Sequence, residues 1–456
     1  MDRAVRLIRD DHLSPLLGRE KARAEKQLHP DDAGSLQLRT LELKPLLDFF
    51  APEVFLARES FVNMNLLGDE LQAVVFSELA AYGNNIIRNL QGKISTEGEN
   101  MIADIDADQF KSGGLVAENL TFDALADSTQ IDMRAGFHNE DGSGNRAQLH
   151  VLASFLNPET DGYFVRADIL PSTLAVADRE WEINPATIFY KEKDIRIEDF
   201  ALVSGEQSLT ADGVISPQMT DTVRVRLNDF DLGMANAFLS TPLNLQGLLT
   251  GQGEAFALLG PEKGILFDLG AHQVSASGID VGDLRLESRW DDANKRFNFL
   301  VNNTLDGRHP LRATASLKPS DKQAALDVEL DKLQIAMVEP ILASLFSDMG
   351  GTISGRITAN GPLDKLAIRS EGTRFNDFKF RLDFTQVDYT ANGPFTVGEK
   401  GVTFDDVSLK DIYGRTGKLS GGIPYDHFKD IRLNIRIDLN NNLVLNTTSR
   451  DNDSFY

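Results

Sequence analysis

Apolar and polar residues alternate along most of this chain. In KDIRLNIRIDLN (429–440), Ile431, Leu433, Ile435, Ile437 and Leu439 alternate with Arg432, Asn434, Arg436 and Asp438. A period of two gives a strand with one apolar face and one polar face. The same alternation runs through Val223, Val225 and Leu227; through Phe297 and Phe299; through Leu326, Val328 and Leu330; and through Phe378, Phe380 and Leu382. Between these runs stand GSGN, NGPLD, ANGP and KPSD, whose composition predicts turns. The pattern predicts a mostly β protein of many short antiparallel strands joined by hairpins. It also predicts that these apolar residues line one continuous surface, while Arg224, Glu329, Arg381 and Arg436 face water.

A second regularity is superposed on the first. Leu36, Leu38, Leu41 and Leu43 are spaced two, three, two, as are Val225, Leu227, Phe230 and Leu232, and Val328, Leu330, Leu333 and Ile335. Each quartet is followed by an apolar pair, Phe49-Phe50, Phe238-Leu239 and Ile341-Leu342, in a segment of helical composition. Short helices are therefore predicted near 45–50, 234–239 and 337–346, at the rim of the sheet, with Phe50, Leu239 and Leu342 packed inward. Two copies run on into related tails, LLTGQGEAFALLGP (248–261) and GTISGRITANGP (351–362). Ile195, Ile197, Phe200 and Leu202, and Val402, Phe404, Val407 and Leu409, repeat the spacing without the helix. A three-residue step inside a period of two is what a β-bulge produces, since one extra residue restores the same face. Matched units of this kind predict a repeat array whose neighbours stack.

Composition narrows the function. The 456 residues carry 41% hydrophobic and 25% charged residues, ordinary values for a folded chain. Its 46 basic against 69 acidic residues leave a net charge of −23, which argues against nucleic acid as a partner and against simple electrostatic docking on an anionic membrane. With no cysteine, thiol catalysis, a Cys-rich zinc site and a disulfide framework are excluded. No apolar run is long enough to span a bilayer, and the first 32 residues lack a signal-peptide core.

Motifs for chemistry are sparse. The histidines, His12, His29, His138, His150, His272, His309 and His427, have no metal-binding spacing. Asp426-His427 with Asp430 is the nearest thing to an acid–base cluster and reads as a surface turn. Asp104, Asp106 and Asp108 imitate an EF-hand start, but Gln109 and Leu115 stand where Gly and Glu are needed. Asp451-Asn452-Asp453 reads as a solvated turn, GSGN (142–145) lacks a phosphate-loop context, and the sequons at Asn119 and Asn446 are chance-level. The expectation is a non-enzyme without cofactor or metal.

The C-terminal stretch FDDVSLKDIYGRTGKLSGGIPYDHFKDIRLNIRIDLNNNLVLNTTSRDNDSFY (404–456) resembles the conserved region of TamB-like proteins, the AsmA-related translocation and assembly family. The features that carry it are D-x-x-G at Asp411–Gly414, G-x-I-x-x-D at Gly421–Asp426, and VLNT followed by D-N-D-x-F-Y. REWEINPATIFY (179–190) and EDFALVSGEQSLTADGVIS (198–216) look like earlier parts of the same family. The chain lacks the family's membrane anchor and stops where members continue, so it reads as an internal fragment of a Bacteroidetes-type member.

That resemblance implies a fold that alternation alone does not distinguish from a β-sandwich. It implies an elongated antiparallel sheet bent into an apolar-lined groove, a β-taco, with a few short helices. The chain would then divide into a charged helix or loop segment (1–35), a first part of the groove (36–194), central repeat units (195–362) and a C-terminal part (363–456). It implies phospholipid transfer between inner and outer membranes. Acyl chains would lie on Val223, Val225, Leu227, Phe297, Phe299, Leu326, Val328, Leu330, Phe378, Phe380, Leu382, Leu433, Ile435 and Ile437. The location implied is the periplasm, with attachment to the inner membrane through a segment outside this chain. A scaffold for outer-membrane barrel assembly, working with an Omp85-type partner, is the alternative. A carbohydrate-binding β-repeat protein is a remote third, for which Trp181 and Trp290 are the only tryptophans available.

Overall fold

A computed structural model describes residues 33–448, except 40–52, 157–161, 177–178, 238–243, 339–345, 425–431, Leu433 and the single turn positions 69, 99, 114, 128 and 262. Hydrogen bonding links 28 strands into one antiparallel sheet. The chain forms two compact units, residues 1–240 with 254–264, and residues 241–253 with 265–456. The boundaries expected at 194/195 and 362/363 do not interrupt the pairing. Tyr190 pairs with Ile195 across the first, and Ala359 with Ile368 across the second. At the N-terminal end, the expected boundary at 35/36 falls inside the strand Ala33–Arg39.

In the first unit the strands Glu70–Tyr82, Asn85–Glu97 and Asn100–Ser112 have 13 residues each and form a meander. Gly83, Gly98 and Gly113 stand 15 residues apart at the tips, each with a positive φ near 60°. A two-residue hairpin loop needs that left-handed backbone to match the twist of its strands, and glycine adopts it without strain.

The three-residue steps are bulges, as the sequence predicts. The register shifts between Ile197 and Phe200, between Leu330 and Leu333, and between Phe404 and Val407. In each, the residue before the third apolar member is left-handed: Asp199 at φ 59°, Lys332 at 58° and Asp406 at 51°, with Asp229 at 45° in the quartet ending at Leu232. The freed backbone N–H of a bulge is met by a side chain from the next strand. Lys332 N donates to Ser354 Oγ at 3.1 Å, Asp377 N to Asn392 Oδ1 at 2.8 Å, and Gln273 N to Asp283 Oδ1 at 3.0 Å. Bulges bend and twist a strand while keeping its apolar side chains on one face.

Two expectations are corrected. ANGP (391–394), read as a turn, lies inside the strand Val387–Gly398, where the register shifts between Asn392 and Phe395. The extra residues of the bulges lie on the flanking strands, at Asp377 and Asp406; Gly393, at φ 143°, stands opposite them and still pairs with Phe375, so its Gly-Pro composition mimics a turn without making one. Likewise NGPLD begins inside the strand Phe346–Pro362 and turns only after it. Helical turns do follow two quartets, but as single 3₁₀ segments, Leu232–Ala237 and Ile335–Val338. The segment 45–50, and with it Phe50, Leu239 and Leu342, falls outside the described residues.

Candidate functional site: the apolar face

Residues paired across an antiparallel ladder point to the same face. In the first unit this aligns Leu36, Met64, Ala73, Ile94, Ala103, Ala124, Met133, Val151, Ile169 and Ala186 in one row across ten strands. Further along, Ile183, Leu202, Leu209 and Leu227 form a row, and Ile188, Ile197, Gly213 and Val223 another. The opposite face carries the row Lys93, Asp104, Asp123, Arg134 and His150. Asp104, Asp106 and Asp108 thus belong to a strand, Asn100–Ser112, rather than to a loop.

In the second unit, Leu269, Leu286, Val301, Ala313, Val328 and Ile357 form one row, and Phe299, Ala315, Leu326, Ala359 and Ile368 its neighbour. Leu333, Ile353 and Phe375 continue the face, then Phe378, Ala391 and Leu409, and finally Val407, Leu419 and Ile437. Ile435 pairs with Gly421 and Arg436 with Ser420, so the two alternate sides. Every described residue expected to line the surface therefore falls on the apolar face of its unit. Leu433 lies outside the described residues.

Exposure along the face is uneven in an informative way. In the first unit's meander the buried residues are mostly alanines, Ala73, Ala103, Ala107, Ala117, Ala126 and Ala153, with Leu66 and Leu71 packed together at one end. The large side chains on the same face, among them Val75, Ile94, Ile105, Phe122, Met133 and Val151, stay half-buried. A second layer packed on this face would bury the large residues first. The expected groove includes 36–194 but names no lining residue there, because alanine alternation (Ala103, Ala107 against Asp104, Asp106) is a weak hydrophobic signal, though the 15-residue glycine spacing marks these strands.

Closed cores do occur elsewhere. Trp181, fully buried, packs with Val176, Leu202 and Met234, its ring 5.1 Å from Phe230. In the second unit Val387, Tyr389, Ala391, Val407 and Leu409 are at most 5% exposed, with Phe375, Phe378 and Phe380 packed on them. Phe378 and Phe380, themselves half-buried, pack against that cluster. That core is closed by the chain's own segment 439–448. Leu439 and Leu443 press on it, and Tyr389 Oη donates to the Leu443 carbonyl at 2.6 Å.

Asp411 holds this strap. Its carboxylate accepts the backbone N–H groups of Leu443 at 2.8 Å, Arg415 at 2.9 Å and Tyr413 at 3.0 Å. Burial pushes the carboxyl up, but those three donors and the Arg415 charge outweigh it and hold it below its ordinary value. A lowered carboxylate stabilises the fold above its unfolded-state value of about 3.9, and this stabilisation is lost as pH falls through the lower folded value. Amide exchange of residues 440–446 is expected to accelerate across that acid window, and Asp411→Asn to accelerate it already at neutral pH. An exchange rate indifferent to both would refute the role given to Asp411.

The polar face carries cross-strand ion pairs such as Arg224–Glu254 at 2.9 Å and Arg381–Asp388 at 2.8 Å, all partly exposed and each worth well under about 1 kcal/mol. It also carries two shallow cavities. One, about 560 Å³, is bordered by Glu287, Arg289, Asn298, Thr314 and Asp327; the other, about 630 Å³, by Asp123, Arg134, His138, Arg146 and His150. His150, on the border of the second, has its Nε2 2.8 Å from Asp132 Oδ1. Among the described residues no three or more His, Asp or Glu side chains gather as a metal cage. No protein-family model, curated protein or solved structure matches the chain, so the functional reading rests on the geometry of its apolar face.

Proposed function

We propose that the chain is a lipid-transfer protein of the bacterial envelope, its apolar face carrying phospholipid acyl chains between inner and outer membranes. One observation supports the reading most: continuous rows of large apolar side chains left half-buried, with alanines filling the floor between them. Each methylene exposed to water costs about 0.8 kcal/mol, so a sixteen-carbon chain crossing an aqueous compartment unaided faces on the order of 13 kcal/mol. A strip of apolar sheet offsets that cost, and a headgroup rides outside it in water. The task requires continuity of apolar lining and no reactive group. The resemblance of residues 404–456 to TamB-like proteins agrees with this reading and with a periplasmic location. A sheet wrapped around acyl chains would need bent strands, and the bulges within each unit are compatible with that.

A photo-crosslinking amino acid at Val328 or Ile435 is expected to capture phospholipid in cells, and the same probe at Glu329 or Arg436 to capture none. Equal capture from both faces sinks a one-sided conduit. Capture of outer-membrane barrel precursors in place of lipid would favour the assembly scaffold working with an Omp85-type partner.

A further inference from the structure

We infer that the hairpin tips at one end of the second unit form a surface that docks on a phospholipid bilayer. The two most exposed large apolar residues described are Phe384, 68% exposed, and Tyr413, 65% exposed. Phe384 sits on the turn between the strands Ala367–Leu382 and Val387–Gly398. Tyr413 and Ile412 sit on the turn between Gly401–Asp411 and Thr416–Pro424. Antiparallel order puts both turns at the same end of the sheet, two strands or about 10 Å apart.

The strap ties them into one patch. Asn446 N donates to the Thr385 carbonyl at 2.9 Å, and Leu443 N to Asp411 at 2.8 Å, which sets the exposed Val444 between the two tips. At the opposite end of these strands the tip between Val387–Gly398 and Gly401–Asp411 carries charge instead, the exposed Glu399 and Lys400, and the tip after Phe346–Pro362 carries the exposed Leu363. Exposed apolar groups gathered on two neighbouring tips and the strap between them are not what a solvated rim needs.

A bilayer fits the patch better than a protein partner does. The apolar groups project from turns rather than pave a flat face, so a fluid partner reaches them without matching their shape. Tyr413 and the Arg415 guanidinium stacked over it at 5.1 Å suit the headgroup zone, the ring entering the apolar boundary and the cation meeting phosphate. Exposed Lys410 adds a second cation, while the Asp411 carboxylate is occupied by backbone donors, Asp388 by Arg381, and Asp383 by Ser347. The strap also fixes the tips in advance, so insertion orders little that is not already ordered. With a net charge of −23, apolar insertion rather than long-range attraction has to dominate. The inference does not require the apolar face to carry lipid.

The full chain with Phe384→Trp, mixed with phosphatidylethanolamine–phosphatidylglycerol vesicles, is expected to blue-shift its emission and to be quenched by brominated lipid. Phe384→Asp combined with Tyr413→Asp should weaken vesicle co-sedimentation roughly tenfold or more. Leu363→Asp at the opposite end should change nothing. All three positions are exposed, so folding is retained and checked by circular dichroism. An unshifted emission from the Phe384→Trp chain, or a double variant that sediments like the parent, overturns the proposal. So does a double variant that binds vesicles normally but loses self-association, which would assign the patch to a second copy of the chain. Lipid capture at Ile435 is read separately, so docking and transfer fail or stand independently.

Discussion

Trp181→Ala is expected to destabilise the first unit by about 3–5 kcal/mol, the usual cost of emptying a large aromatic site in a packed core. The side chain is fully buried among Val176, Leu202, Met234 and Phe230, on the strand Arg179–Ile183, which pairs with both Ser172–Val176 and Asp194–Ser204. Removing it leaves a void walled by strands on a continuous ladder, which do not collapse inward without breaking register. Trp181→Phe keeps the ring contact with Phe230 and should cost less. Amide exchange in Asp194–Ser204 reports the loss in place, which avoids assuming that two units unfold as one. A loss below about 1 kcal/mol would mean that this cluster is not a core.

The contrast between Trp181 and the meander marks how far sequence carries. Strand identity, facing and bulges were legible because each is a local rule. Val225, Leu227 and Phe230 alternate, skip and resume, and the backbone follows with Asp229 turned left-handed at φ 45°. Asp and Asn tolerate that conformation, which is why polar residues occupy the step. Turn identity was less secure. Gly393-Pro394 reads as a turn although it lies inside a strand, where Gly393 at φ 143° stands opposite the bulges of its two neighbours. Closure was not legible at all. Leu443 folds back onto Tyr389, 54 residues away in sequence, and no period in the chain announces that contact. Nor does alternation say what lies beside an apolar residue: Phe380 and Val328 stand in equivalent patterns and are both half-buried, yet one packs against the buried Val387 and Tyr389 and the other lies between the half-buried Ala313 and Ile357.

That difference decides where a functional substitution belongs. Phe380→Arg would drive a charge into the core beside Tyr389 and Val387 and be read as misfolding. Val328→Asp puts its charge on the face itself, between Ala313 and Ile357 on the flanking strands, where water still reaches it. The fold is expected to survive, and phospholipid exchange between donor and acceptor vesicles to fall by at least about tenfold. The carboxylate would have to be desolvated each time a tail passes, at a cost of several kcal/mol that partial hydration softens. Val328→Leu should be silent, because a continuous apolar lining has no indispensable member. Glu329→Gln, one residue on and facing the other way, should be silent too. Circular dichroism and melting behaviour unchanged in Val328→Asp make the exchange assay decisive. Undiminished exchange would show that acyl chains do not travel along this face.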